Sequence, residues 1–242
     1  MVRFRVGKSY RFKRMKVAAI IFSRMASSRL PGKALRHIAG EPLIKRVIDR
    51  VSKVKNLSTI VVATSNSKTD DRLTQYIQSL NIEVFRGATH DVLNRAVSCA
   101  SYLGVDKFVR INGDSPLIDP ELLEQGIEMW REPNLDLISN VFPRTYPVGT
   151  SVEIIKTDSL KKILSLTVDS CDREHVTRFF YRNPEKFRIL NFESGRSELR
   201  EVRLAVDTEE DLERIDWLFK EFGGLINFEM AAEKSSLWSS VE

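Results

Sequence analysis

The 242-residue chain has few cysteines, few histidines and no long apolar run. Its two cysteines, Cys99 and Cys171, lie far apart and outside any CxxC pattern, so we expect reduced thiols and a cytoplasmic location rather than a disulfide or a zinc site. No segment approaches the roughly 20 apolar residues of a membrane-spanning helix. The apolar run after the basic start leads into a charged loop without a secretory cleavage pattern. We therefore expect no membrane insertion.

Two familiar phosphate-binding motifs are also missing. Lys33 is followed by alanine, and no glycine lies five residues before Gly32, so the sequence lacks G-x-x-x-x-G-K-[ST]. It lacks G-x-G-x-x-G as well. Any nucleotide site must therefore belong to another class.

The net charge of +5 originates at one end of the chain. Residues 1–14 contain six basic residues and no acidic one, and removing these six from the 38 basic residues leaves 32 against 33 acidic ones. The remainder is close to neutral, and no nucleic-acid-binding signature accompanies the basic end, so we expect no nucleic-acid partner. Residues 1–14 are predicted to be a passive, disordered extension; the alternative is a weak tether to an anionic surface.

Apolar runs alternate with amphipathic helical patterns over the first 130 residues. This alternation predicts an α/β fold with a doubly wound, mostly parallel sheet and helices on both faces. The segment around 134–191 departs from this alternation and is interpreted as an insertion that covers the site or pairs subunits. No internal repeat or low-complexity linker divides the chain, so residues 15–242 are predicted to form one domain.

The hydrophobic periodicity places the individual elements. The predicted strands are 17–22, 59–64, 82–86, 107–111, 136–141, 151–155, 187–191 and 202–206. The predicted helices are 42–54, 69–80, 91–103, 120–130, 158–166, 173–181 and 209–222.

The segment RMASSRLPGKAL, residues 24–35, directly follows the first predicted strand. It contains three cations, two hydroxyl groups and a glycine, namely Arg24, Arg29, Lys33, Ser27, Ser28 and Gly32. Fixed cations, hydroxyls and a glycine just past a strand end suit a polyanion such as a nucleoside triphosphate.

Two aspartates follow later predicted strands. Asp114 lies in NGDSP after strand 107–111, and Asp207 lies in VDTEED after strand 202–206. Ligands of doubly wound sheets bind at the carboxyl ends of strands, and Mg²⁺ prefers one or two carboxylates plus phosphate oxygens. We therefore predict that both aspartates hold Mg²⁺ in front of the cationic loop. The alternative, that each only caps the following helix, is the interpretation we adopt for Asp119.

These motifs resemble the cytidylyltransferase family, which includes 3-deoxy-manno-octulosonate and acylneuraminate cytidylyltransferases, and especially its branch named after spore coat polysaccharide biosynthesis protein F. Further matching motifs are VATS at 62–65, FRG at 85–87, DVLNR at 91–95 and DREHVT at 172–177. The resemblance implies a nucleotidyltransferase fold of the glycosyltransferase-A type and a homodimer. It also implies Mg²⁺-dependent transfer of CMP from CTP to an acidic sugar, with release of pyrophosphate, for cell-surface polysaccharide synthesis.

The resemblance also assigns roles to residues. It implies that the nucleotide contacts Arg24, Ser27, Ser28, Arg29, Lys33, Asp91, Arg95 and Asp114. It further implies that Arg24, Lys33, Asp114 and Asp207 are catalytic, with Asp114 and Asp207 as the metal ligands.

The acceptor side is predicted from two segments. Arg173 and His175 are expected to face an acidic acceptor, since arginine suits bidentate carboxylate recognition; the alternative is local helix capping. The family run around Tyr146 to Glu153 is expected to line the same side, but Ser151 replaces its usual acid, so the acceptor's identity stays open. Two other functions also stay open: a nucleotidyltransferase using another nucleotide or a sugar phosphate, and a non-catalytic nucleotide-binding scaffold.

Overall fold

A computed structural model describes residues 17–238 of the chain. The predicted basic extension, residues 1–14, lies outside the described residues. Within them, no helix combines the length and the apolar character that crossing a bilayer requires.

The described chain contains nine strands and nine α-helices. The strands are β1 (Val17–Phe22), β2 (His37–Ile38), β3 (Glu41–Pro42), β4 (Leu57–Ser65), β5 (Glu83–Gly87), β6 (Lys107–Asn112), β7 (Leu137–Ser139), β8 (Glu153–Lys156) and β9 (Ile189–Asn191). The helices are α1 (Leu43–Val51), α2 (Asp71–Ser79), α3 (Val92–Tyr102), α4 (Pro120–Met129), α5 (Thr157–Leu166), α6 (Ser170–Glu174), α7 (Arg178–Arg182), α8 (Glu209–Phe222) and α9 (Phe228–Ser235).

Seven of these strands form one sheet in the order β5-β4-β1-β6-β8-β7-β9. The pairs β5/β4, β4/β1, β1/β6 and β7/β9 are parallel, whereas β8 runs antiparallel to both neighbours. The predicted insertion around 134–191 supplies β7, β8 and β9 at one edge. The predicted α/β fold with a mostly parallel sheet is therefore confirmed.

Helices cover both faces of this sheet and bury it. Strand β1 is almost entirely buried, which explains why it is apolar throughout rather than alternating. Ala19 and Ile21 pack into the cluster beneath α1, α2, α4 and α8, while Ala18 and Ile20 pack against α3, α5 and α7. Two hydrophobic layers thus fix the central strands from opposite sides.

Two sequence predictions of elements are wrong. Residues 202–206 form no strand: their only β pairing among the described residues is an isolated bridge between Arg203 and Val148, with the Leu204 amide donating to the Val148 carbonyl at 2.6 Å. The predicted helix 173–181 is instead split into α6 and α7: the backbone leaves the helical conformation at His175 (ψ 88°), and Val176 between the two helices is fully buried. Helix α9 was not predicted; the Asn227 side chain caps it.

Candidate active site

A cavity of about 320 Å³ lies at the carboxyl ends of β1 and β6. The chain runs from β1 outward to β4 and β5, and then returns to the other side of β1 as β6. This reversal creates the crevice where ligands of doubly wound sheets bind. Sequence-predicted residues in its wall are Arg24, Ser27, Ser28, Arg29, Lys33, Arg95, Asp114, His175 and Asp207.

The loop of residues 24–35 is held in place by a buried carboxylate. Asp70 is fully buried and accepts hydrogen bonds from the Met25 amide at 2.7 Å, the Thr64 hydroxyl at 2.9 Å and the Ser65 amide at 3.0 Å. Burial acts to raise the pKa of Asp70, but the hydrogen bonds from Ser65, Met25 and Thr64 outweigh it and lower the pKa. Asp70 therefore stays ionised and ties the loop to the end of β4.

Lys33 is the centre of the polar cluster. It begins a single 3-10 turn directly after Gly32, which adopts the left-handed conformation that favours glycine (φ 74°). Its Nζ atom donates to Asp114 Oδ2 at 2.8 Å, to Asp207 Oδ1 at 2.9 Å and to the Val206 carbonyl at 2.8 Å. An ammonium has three protons, so this one is saturated by oxygens from two distant segments.

The two aspartates therefore converge, as predicted. Asp207 is surrounded by cations: Lys33 and Arg29 pair with it at 2.9 and 3.1 Å, and Arg203 also donates to it. Arg203 was not predicted from the sequence, although its spacing of four residues from Asp207 is visible there.

Gly113 allows the segment carrying Asp114 to approach the loop after β1. Its amide donates to the Phe22 carbonyl at 2.9 Å. A Cβ atom at this position would lie 2.8 Å from that carbonyl oxygen and 2.7 Å from the Ser23 Cβ. Only glycine lets the two strand ends come this close without a shift.

Two predicted residues do not line this cavity but pair with each other. Asp91 caps α3 through the Asn94 amide at 2.8 Å and accepts from Arg173 Nη1 at 2.9 Å. Arg173 also donates to the carbonyls of Thr167 and Leu164 at 2.8–3.0 Å. Their side chains thus fix the contact between α3 and α6, the local structural role that was left open for Arg173.

Helix α6 still reaches the cavity through its end. Glu174 and His175 both line the wall, and Glu174 accepts a hydrogen bond from Arg24 at 3.2 Å. Arg95 lines the wall from α3, and burial lowers its pKa while Nη1 donates to the Ala88 carbonyl at 2.7 Å.

Glu153 was predicted on the acceptor side and lies behind the wall. It is buried on β8 and forms an ion pair with Arg110, a wall residue that was not singled out from the sequence. Five cations and three carboxylates line the cavity, namely Arg24, Arg29, Lys33, Arg95, Arg110, Asp114, Glu174 and Asp207. This excess of cations suits a polyanionic ligand.

Comparisons with known proteins match nearly the whole described chain. A family model described as cytidylyltransferase matches residues 18–235. The chain is 31% identical over 210 residues to spore coat polysaccharide biosynthesis protein SpsF of Bacillus subtilis, covering 84% of this chain and 86% of that protein. It is 32% identical over 191 residues to 3-deoxy-manno-octulosonate cytidylyltransferase of Geobacter metallireducens, covering 77% and 67%. A solved cytidylyltransferase structure from Leptospira borgpetersenii superimposes with a TM-score of 0.88 at 28% identity, covering 94% and 96%.

Proposed function

Because the chain belongs to the cytidylyltransferase family and is therefore a CTP-dependent nucleotidyltransferase, we propose that it transfers CMP from CTP to an acidic sugar. The names of the two relatives support this choice. One describes polysaccharide biosynthesis, and the other an enzyme acting on an acidic sugar. The product would be an activated sugar for a cell-surface polysaccharide, made by a cytoplasmic homodimer.

The observation that carries the proposal is the convergence on Lys33. Its ammonium joins Asp114 and Asp207 at the switch point of the sheet, within a wall that also contains Arg24 and Arg29. A triphosphate requires cations for its oxygens, and the loop after β1 supplies three of them.

The donor set at this point fits Mg²⁺. Oxygens of Asp114 and Asp207 both lie within 2.9 Å of one cationic nitrogen, so the two carboxylates already share one cation. Within residues 17–238 no group of three or more His, Cys, Asp or Glu side chains could hold a metal ion, so Mg²⁺ bound by these two carboxylates would need phosphate oxygens to complete its coordination. When bound by Asp114 and Asp207, Mg²⁺ supplies Lewis-acid polarisation of the phosphate.

The proposed reaction is an in-line displacement at phosphorus. The oxygen of an acceptor hydroxyl forms a bond to the α-phosphorus of CTP and its proton passes to solvent, while the bond from this phosphorus to the bridging oxygen breaks and pyrophosphate leaves. Lys33, Arg24 and Arg29 neutralise the charge that grows on the leaving pyrophosphate. The Asp70 carboxylate contributes indirectly, because it fixes the position of the loop that carries these cations.

A pyrophosphate-release screen tests the proposal. Each of the four nucleoside triphosphates is combined with a panel of acidic sugars, with and without Mg²⁺. We expect release with CTP, Mg²⁺ and at least one acidic sugar. Release with a sugar phosphate or another nucleotide would instead establish a different transferase. No release under any pairing would favour the non-catalytic scaffold.

A further inference from the structure

Arg110 is a wall residue with part of its hydrogen-bonding capacity unused. It lies on β6, on the same side of the strand as Asn112, and its side chain is 17% exposed at the cavity. One nitrogen, Nη1, donates to the carboxylate of Glu153. Nε is buried and has no hydrogen-bond partner among residues 17–238. The guanidinium is thus held at one nitrogen, while a second donor lacks a partner in the described chain.

The surroundings of Glu153 keep its carboxylate ionised and in position to bind this guanidinium. Its side chain is 3% exposed, and the Tyr181 hydroxyl donates to Oε1 at 2.7 Å. The same hydroxyl lies 2.8 Å from the Ser139 hydroxyl. Burial acts to raise the pKa of Glu153, but Arg110, Tyr181 and Thr177 outweigh it, so the pKa is lowered and the carboxylate is ionised.

A buried ion pair at this place has no clear advantage for stability. Removing two charges from water costs several kcal/mol per ion, and apolar residues of the same volume would serve the core at least as well. The pair does fix the orientation of a guanidinium, the side chain whose fork matches a carboxylate in two parallel hydrogen bonds.

Arg110 is carried by a different segment from the triphosphate cations. Arg24, Arg29 and Lys33 all follow β1, whereas Arg110 lies on β6, which pairs with β1 on one side and with β8, a strand supplied by the insertion, on the other. The two groups therefore enter the cavity from different segments, so a second anionic group can be bound beside the triphosphate.

We propose that Arg110 binds the carboxylate of the acidic acceptor, and that Glu153 and Tyr181 are the positioning residues that orient its guanidinium. The inference rests on the proposed function and deepens it. It also gives Glu153, predicted to contact the acceptor directly, an indirect role through Arg110. Arg173, the other predicted carboxylate-binding residue, is already occupied by Asp91 and two carbonyls.

Steady-state kinetics of two variants test this assignment. Arg110→Lys keeps a cation opposite the buried Glu153 but loses the fork, and Glu153→Gln keeps the shape but loses the charge. The acceptors are 3-deoxy-manno-octulosonate and N-acetylneuraminate, each compared with its methyl ester. We expect Arg110→Lys to raise the KM of the acid by about tenfold or more, with the KM of CTP unchanged. The preference for acid over ester should shrink by a similar factor, and Glu153→Gln should show the same pattern more weakly.

A matched control distinguishes a specific effect on acceptor binding from a general effect of an arginine-to-lysine change on folding. Arg46 is a half-buried arginine on α1 that donates to the Ile38 and Ala39 carbonyls and does not line the cavity. Arg46→Lys should leave the acid-to-ester preference unchanged, and melting temperatures with and without CTP check folding. An unchanged acceptor KM in Arg110→Lys, or a rise only in the KM of CTP, would overturn the role of Arg110 but not the proposed function. A folded wild-type enzyme that uses no acidic sugar overturns the proposed function with it.

Discussion

Lys33 and Asp114 are 81 positions apart in the sequence, yet the Lys33 ammonium donates to Asp114 Oδ2 at 2.8 Å. The same nitrogen binds Asp207 at 2.9 Å. Two carboxylates brought this close would repel each other, and the shared ammonium offsets that repulsion. The lysine therefore occupies the point where a metal shared by the two aspartates would be expected.

Replacing Lys33 by methionine should strengthen metal binding in the absence of nucleotide. The ammonium competes with a divalent cation for the same oxygens, so its loss should raise the Mn²⁺ affinity of the free protein by about tenfold or more. Electron paramagnetic resonance of unbound Mn²⁺ measures this directly. CTP turnover should fall in the same variant, since a cation for pyrophosphate is lost.

Lys45→Met is the matched control for that experiment. The Lys45 ammonium pairs with Asp49 at 2.8 Å on the surface of α1, away from the cavity wall. It should alter neither Mn²⁺ binding nor turnover. Equal or weaker Mn²⁺ binding in Lys33→Met would contradict competition between the lysine and the metal.

Asp114→Asn should abolish most of the Mg²⁺-dependent pyrophosphate release. The change preserves size and an oxygen acceptor for Lys33 but removes the charge that a metal requires. A loss of several kcal/mol of transition-state stabilisation corresponds to a kcat lower by about 100-fold or more. Asp158→Asn, an exposed residue in the first turn of α5, should retain full activity. Near-normal turnover in Asp114→Asn would remove the metal-ligand assignment.

The elements that the sequence predicted best are those with local signals. Helix α8 begins and ends as predicted, and its start is marked locally because Thr208 and Asp211 form a capping box within one turn. The start of α4 was likewise readable, since Asp119 caps it and proline follows at its first position. Strand β1 was visible as a short apolar run bounded by polar residues.

The features that escaped prediction depend on contacts between distant segments. Nothing in the sequence around Asp70 indicates that the amide of Met25, 45 positions earlier, donates to its carboxylate. Arg173 was predicted to face the acceptor, but its partner Asp91 is 82 positions away. Residues 202–206 have the apolar pattern of a strand, yet they run beside a loop at Val148. Side-chain type was readable in each case, whereas the partner was decided by topology.

Asp70→Asn should destabilise the fold in a pH-dependent way. The variant replaces an ionised acceptor of buried hydrogen bonds, so the free energy of unfolding should fall by about 3 kcal/mol near neutral pH. The folded pKa of Asp70 is lowered, so its contribution is complete above the unfolded value of about 3.9 and is lost as the pH falls through the folded value. Urea unfolding of both proteins between about pH 3 and pH 8 measures the difference.

The difference between wild type and Asp70→Asn should be constant above about pH 5 and shrink below about pH 4. Asp49→Asn, an exposed change on α1, should shift stability by less than about 0.5 kcal/mol. A difference that grows as the pH falls would mean that Asp70 is protonated in the folded protein.

Gly113→Ala should push the two strand ends of the active site apart. The added methyl group would lie 2.8 Å from the Phe22 carbonyl oxygen and 2.7 Å from the Ser23 Cβ, atoms that cannot move without the backbone. Such overpacking costs about 1–3 kcal/mol of stability, and moving Asp114 away from Lys33 should lower kcat/KM for CTP by about tenfold or more. Gly224→Ala is the control, because its Cβ would meet nothing closer than an Arg46 nitrogen at 3.9 Å. If Gly113→Ala retained wild-type stability and CTP kinetics while Gly224→Ala did the same, close approach at Gly113 would not be what positions Asp114.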